Sequence, residues 1–279
     1  MRPKSFVLDL LSVSGAQGLP VAALVRGGEA LGVQAGALRV CLSRLKARGF
    51  VRADARGWYA LGPAAQAFAE EVSHWRQLES QTTKWNGSWC SVHLDRLGSN
   101  QRRERRDRER ALGLLGFVQW RPGLALRPNN LHGGVAAIRE RLAALGVDAS
   151  QPVFLMTEVD ASLEGLWDGP ALDASYRRGL EELEASRAAV AELPLEAAAA
   201  EAFRVGGRAF RRLAFDPLLP PPIVDVGLRH RHATAVGAYD RMGRKIWSTL
   251  LEVELKTPAR SSRARRIDPQ PRLSIQLEA

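Results

Sequence analysis

Arg39, Arg44 and Lys46 crowd into one stretch, Gln34–Arg48, whose apolar residues have helical spacing. Leu38, Cys41, Leu42 and Leu45 fall at i, i+3, i+4 and i+7, so they form one buried stripe of a helix. Gly36, Val40, Ser43 and Ala47 then point the opposite way, bordered by the three cations. Small side chains let a helix lie close against a DNA groove, and arginine reaches base edges or phosphates from there. Gly49 stands where a helix C-cap belongs. Phe50–Ala53 and Trp58–Leu61 read as two strands around the turn Asp54-Ala55-Arg56-Gly57. Arg52 and Arg56 then sit near the tip of a hairpin and would contact the DNA backbone or the minor groove. The candidate DNA-binding residues are therefore Gln34, Arg39, Ser43, Arg44, Lys46, Arg52 and Arg56.

The preceding residues supply elements to hold that helix. Phe6, Val7, Leu10 and Leu11 predict a first amphipathic helix. Gly18-Leu19-Pro20 opens a second, with Val21, Leu24, Val25 and Leu31 turned inward. Three helices and a hairpin make a winged helix-turn-helix of about 62 residues, within the small-domain range. A winged helix can also bind protein; the basic outer face of the third helix favours DNA.

The rest of the chain reads as two further domains and a tail. Residues 1–84 comprise the winged helix and a linker helix over Ala64–Lys84. Over 85–160, strands at Trp89–Asp95, Phe117–Trp120, Leu124–Arg127 and Val153–Val159 alternate with a charged helix after Gln101 and a helix over Leu131–Leu145. That order, βαββαβ, is ferredoxin-like. Residues 161–255 are rich in Ala, Leu and Glu, with helices at Leu172–Glu192 and Leu195–Leu213 broken by Leu193-Pro194. Residues 256–279 are basic and rich in Pro, Ser and Arg, which predicts a disordered tail. The fold class is α+β.

Charge is unevenly spread. The chain of 279 residues carries +10 overall. Residues 1–85 hold eleven basic and six acidic side chains, a net +5, whereas 161–255 are at −2. A basic excess at the ends points to a polyanion partner for the N-terminal part. No apolar run approaches the roughly 18 residues of a membrane span, and Asp9 interrupts the apolar start too early for a signal peptide. A cytoplasmic chain is expected. Cys41 and Cys90 lie in apolar-periodic segments and suit neither a disulfide frame nor a zinc site. Phosphate-binding, dinucleotide, zinc-protease and serine-hydrolase motifs are absent, so neither an enzyme nor a bound cofactor is expected.

Longer motifs carry a resemblance. Leu38-Arg39-Val40-Cys41-Leu42-Ser43-Arg44-Leu45, Gly49-Phe50-Val51 and Tyr59-Ala60-Leu61 resemble the phenylacetic acid degradation repressors, the PaaX family. Trp85-Asn86-Gly87-Ser88-Trp89, Arg110–Phe117 with Pro122-Gly123-Leu124, and Asp216-Pro217-Leu218-Leu219-Pro220 resemble its later motifs, in the same order over about residues 2–250. Two departures stand out. The family opens its recognition helix with Ser-Glu-Arg where this chain has Gln34-Ala35-Gly36, and Val224–Gly227 replaces a Trp-Pro-Gly.

The resemblance implies a dimeric transcriptional regulator, a repressor that reads a palindrome and is released by an aryl-acyl coenzyme A thioester such as phenylacetyl-CoA. It also implies that the ferredoxin-like domain, similar to the CRISPR adaptation nucleases, makes the homodimer. Arg204, Arg208, Arg211 and Arg212 fall on one face of the second C-terminal helix, near Phe203, Phe210, Phe215 and Trp167. They could hold effector phosphates, or pair with the nearby glutamates. His230 and His232 would share a face of a strand, but lack a third metal ligand. Two other functions stay open. Asp95 at a strand end would be the metal carboxylate of a nuclease, and a DNA-binding architectural protein would need no effector.

Overall fold

The computed structural model describes residues 2–54, 57–65, 81–98, 100–159, 162–253 and 255. Its first helix, α1 (Pro3–Ser14), buries Phe6, Val7, Leu10 and Leu11 as one stripe, and Pro3 occupies the first turn, where a missing N–H costs no bond. α2 (Val21–Ala30) and α3 (Ala35–Ala47) are joined by a short turn closed by the Val33 N–H donating to the Gly28 carbonyl at 2.8 Å. β2 (Val51–Ala53) and β3 (Trp58–Leu61) pair antiparallel, and the two-residue β1 (Leu19–Pro20) adds on the far side of β3. Asp54 fastens the hairpin turn by accepting the Trp58 N–H at 2.9 Å.

A second sheet follows, built from β4 (Trp89–His93), α4 (Arg102–Leu114), β5 (Val118–Arg121), β6 (Leu124–Pro128), α5 (Gly134–Ala144) and β7 (Val153–Met156). Its strand order is β5-β6-β4-β7 with every neighbour antiparallel, so two β-α-β units interleave. Cys90 and Val92 face α4 and α5 and pack with Leu112, Leu115, Ile138 and Leu142. The alternation of polar and apolar residues in β4 suggests one wet face, but Ser91 is fully buried as well. The other face is covered: Trp89 and Leu126 pack against Leu163, Trp167, Leu219 and Ile223.

Two expected helix boundaries move for one reason. Thr82 forms a β-bridge with Leu131, and the His132 N–H donates to the Gln81 carbonyl at 2.8 Å. Residues 82–84 are thus drawn out of the expected linker helix, and α5 starts at Gly134 rather than Leu131. The body of the linker, 66–80, and the tail, 256–279, lie outside the described residues.

Three long helices complete the fold: α6 (Gly169–Glu192), α7 (Leu195–Ala214) and α8 (Val226–Leu251). Asp168 and Asp225 cap α6 and α8, each accepting a backbone N–H at 2.9 Å. α8 has no counterpart in the sequence reading, and it carries the first module. Trp247, Leu250 and Leu251 of α8 and Ala199 of α7 belong to the same core as α1–α3. This explains α2, which buries Ala23, Leu24, Gly27 and Gly28 fully, while Val21, Val25 and Leu31 pack half-buried against the same core. Trp247 and Leu251 lie so close to Gly27 that a Cβ there would come within 2.8 Å of the indole. Small residues bring α2 onto α8. No helix among the described residues is long and apolar enough to cross a membrane.

Candidate nucleic-acid interface

α3 divides cleanly. Leu38, Leu42 and Leu45 are at most 3% exposed, while Gly36, Val40, Ser43 and Ala47 are in solvent. Val40 is 51% exposed, an apolar side chain left in water at the centre of that outer face. Arg39 and Lys46 border the face on one side and Arg44 on the other, all three exposed. The helix is about 20 Å long, enough to lie along a groove. Gln34, the residue before its first turn, is exposed and gives no side-chain cap. Arg52 projects to solvent from β2, whereas Arg56 lies outside the described residues. Cys41 is only half-buried, at the edge of the stripe.

Two further cations flank this region and were not singled out from sequence. Lys4 and Arg48 lie over the Phe50 ring, at 5.0 and 5.4 Å from its centroid. The signal for Arg48 was an aromatic two residues on; Lys4 is brought in only by the packing of α1.

The arginine row on α7 meets carboxylates. Arg212 forms a two-pronged pair with Glu182 of α6 at 2.9 and 3.1 Å, Arg208 approaches the same carboxylate at 3.7 Å, and Arg204 pairs with Glu201. These guanidiniums hold both glutamates below the usual carboxylate range. The aromatic residues do not gather beside the row. Phe203 packs on Phe6 and Trp247, Phe210 lies against the core of the second sheet, Trp167 stacks on Trp89 at 5.7 Å, and Phe215 is exposed. Asp95 is held by Gln151, which donates to its Oδ2 at 2.7 Å and accepts its N–H at 2.7 Å. Among the described residues no three His, Cys, Asp or Glu side chains cluster where a metal ion could sit.

The expected shared face of His230 and His232 is overturned, because both lie on α8. Two residues apart on a helix point different ways, so His230 is exposed and His232 fully buried. Neither ring nitrogen of His232 has a hydrogen-bond partner, and the ring lies against Gly179 and 5.8 Å from Tyr176. Burial, helped by Arg212 and opposed by Glu182, pushes its pKa down to about 4. In the unfolded chain the ring protonates near 6.5, so between these values the unfolded state binds the extra proton. Stability is then fully present above about pH 6.5 and is lost as the pH falls toward 4, by on the order of 2 kcal/mol. Urea unfolding at about pH 7 and pH 4.5 should show this loss, and His232→Leu should show less of it. An equal loss in both proteins would assign the acid sensitivity to other groups.

The Asp216–Pro220 motif is a polar joint. Arg127, fully buried on β6, donates to the carbonyls of Leu115 and Pro128 and to Asn130 Oδ1. Asn130 Nδ2 donates to the Leu218 carbonyl at 2.7 Å. Asp216 accepts the Leu218 N–H at 2.8 Å and the Tyr176 hydroxyl at 2.7 Å, and Arg229 donates to the Leu219 carbonyl at 2.7 Å. The segment therefore ties the second sheet to α6 and α8. Periodicity gives no hint of Arg127, since arginine in a strand ordinarily signals an exposed face.

Comparisons with known proteins agree with the first module. A family model described as PaaX-like protein matches residues 2–65. No curated protein matches the chain. Among solved structures, the uncharacterized protein Rv0674 from Mycobacterium tuberculosis is similar in fold, with a TM-score of 0.54 at 22% identity, covering 84% of this chain and 97% of that one. The family likeness thus falls on residues 2–65, the stretch that carries the three helices and the hairpin.

Proposed function

We propose that the chain is a DNA-binding transcriptional regulator, a repressor in which each protomer of a homodimer lays the outer face of α3 in a major groove. The observation that carries this is the face itself: small residues bordered by Arg39, Arg44 and Lys46, opposite a stripe that is buried. The family match over 2–65 supports the same reading. Gln34 and Ser43 would reach base edges beside the arginines, and Arg52 and Arg56 of the hairpin would rest on the adjacent backbone. The second sheet, with its βαββαβ order, would be the ferredoxin-like dimerisation domain. A dimer would read a palindrome with half-sites about one helical turn apart, or a multiple of that. Release falls to an aryl-acyl coenzyme A thioester, whose phosphates would take over Arg204, Arg208 and Arg212 from Glu182 and Glu201 and would also engage Arg211. It needs only to bind the DNA-incompetent arrangement better.

A genome-wide binding map supplies the operator, and gel-shift titration then tests the face. Arg39→Ala and Arg44→Ala should each lose about 1–3 kcal/mol of specific binding, with a smaller loss on scrambled DNA. Unchanged specific affinity in both would remove α3 as the reader. Phenylacetyl-CoA added to the wild-type complex should release the operator, and free coenzyme A should not.

A further inference from the structure

A second candidate ligand site lies away from both α3 and α7. A cavity of about 520 Å³ opens where the end of β4, one flank of α4 and the β5–β6 turn meet. This volume is in the range of sites for small organic ligands. Its floor is apolar: Leu94, Leu112, Phe117 and Ala125 are buried residues of the sheet core. Its rim is cationic. Arg105 and Arg108 lie one turn apart on α4 and both line the opening. Each is pre-positioned by a backbone carbonyl, Arg105 donating to Leu97 at 3.1 Å and Arg108 to Asp95 at 2.8 Å. A guanidinium has five N–H donors, so these bonds leave most of them for a ligand.

The acidic residues nearby do not cancel this charge equally. Asp95 also lines the cavity, but its Oδ2 is occupied by Gln151. Glu109 lines the rim and is exposed, and it would repel an anion. Gly113, the next residue on α4, lines the cavity further out and leaves that part open, because a Cβ built there meets no atom within 4 Å.

We propose that this cavity binds a small organic anion, an aryl or acyl carboxylate whose apolar body rests on Leu94, Leu112 and Phe117 and whose head lies between Arg105 and Arg108. Planar guanidiniums match a carboxylate in two-pronged fashion, and the apolar floor discriminates against a bare inorganic anion. This site is independent of the DNA-binding reading, and its test contains no DNA.

Calorimetry on the full chain uses benzoate, 3-phenylpropionate and octanoate as probes, their amides as neutral counterparts, and inorganic phosphate as the bare anion. At least one carboxylate should saturate, with its amide and phosphate weaker by about tenfold or more. Arg105→Gln and Arg108→Gln, both at the solvent side of α4, should each weaken that carboxylate about tenfold, and Glu109→Gln should strengthen it. Gly113→Leu fills the open part of the cavity and favours the helix, so it should abolish binding without lowering the unfolding midpoint. If Gly113→Leu fails to fold, the arginine variants decide. No saturation by any carboxylate at about 10 mM, a weak-binding limit, would overturn the proposal, as would amides that bind equally or arginine variants that bind as wild type.

Discussion

Replacing Arg127 by alanine is expected to cost about 3–5 kcal/mol of stability, the range for breaking a buried charged network by removing one partner. The guanidinium is fully buried, and burial lowers its pKa to about 9, with nearby Arg141 and Arg229 acting in the same direction. It stays charged at neutral pH, and each of its three nitrogens donates a hydrogen bond. One reaches the Leu115 carbonyl at the C-terminus of α4, where a cation complements the helix dipole. Others hold the Pro128 carbonyl and Asn130, which in turn holds Leu218. Alanine would strand these acceptors without water and leave a void. Arg127→Lys keeps the charge but offers a single ammonium in place of a planar fork, so it should recover only part of the loss. Arg127→Met fills the volume yet leaves the acceptors unpaired, about 1–3 kcal/mol for a buried group. Urea unfolding of the three variants checks the order, alanine worst. If methionine proves as stable as arginine, the network contributes shape alone.

Much of the first module was legible because its elements obey local rules. α1 and α3 each bury one stripe at helical spacing, and the hairpin is announced by β-rich residues around Asp54 and Gly57. The residues of the outer face of α3 could be named for the same reason: whatever is opposite a buried stripe on a short helix is outside. The second sheet was legible in its order of elements but not in its burial. β4 alternates as if one face were wet, and only the chain near Trp167 and Leu219, distant in sequence, makes that face dry. α8 was missed because Arg229, His232 and Arg244 are buried within it, which blurs its apolar period. Arg127 and His232 belong to the same class. A polar residue buried by tertiary contacts looks in sequence like a surface residue or a metal ligand. The arginine row on α7 was legible as a row, but its partner Glu182 sits on another helix, so spacing alone could not distinguish ligand contacts from ion pairs.

Trp247→Ala is expected to destabilise the protein by about 3–5 kcal/mol, as deletion of a large buried aromatic does. The indole joins the first module to the helices behind it. Its ring lies 6.3 Å from Phe6 of α1 and 5.5 Å from Phe203 of α7, and its Nε1–H donates to the Ala199 carbonyl at 3.0 Å. Arg26 and Arg244 reinforce the same seam, Arg26 with Glu252 at 2.7 Å and Arg244 with the Val13 carbonyl at 2.8 Å. The ion pair is exposed and worth little; the aromatic contact sets how α2 sits on α8. That claim has a sharper test than one deletion. Gly27→Ala places a Cβ 2.8 Å from the indole and 3.2 Å from both Leu251 and Phe6, so in the wild type it overpacks and should cost about 1–3 kcal/mol. In the Trp247→Ala background the main obstruction is gone, and alanine is the better helix former by about 1 kcal/mol. The same substitution should then be neutral or stabilising. A double-mutant cycle in urea would therefore give a coupling of about 1–3 kcal/mol between two residues 220 positions apart in sequence. If the two losses simply add, α2 does not rest on Trp247, and the first module is held to the rest of the chain by other contacts.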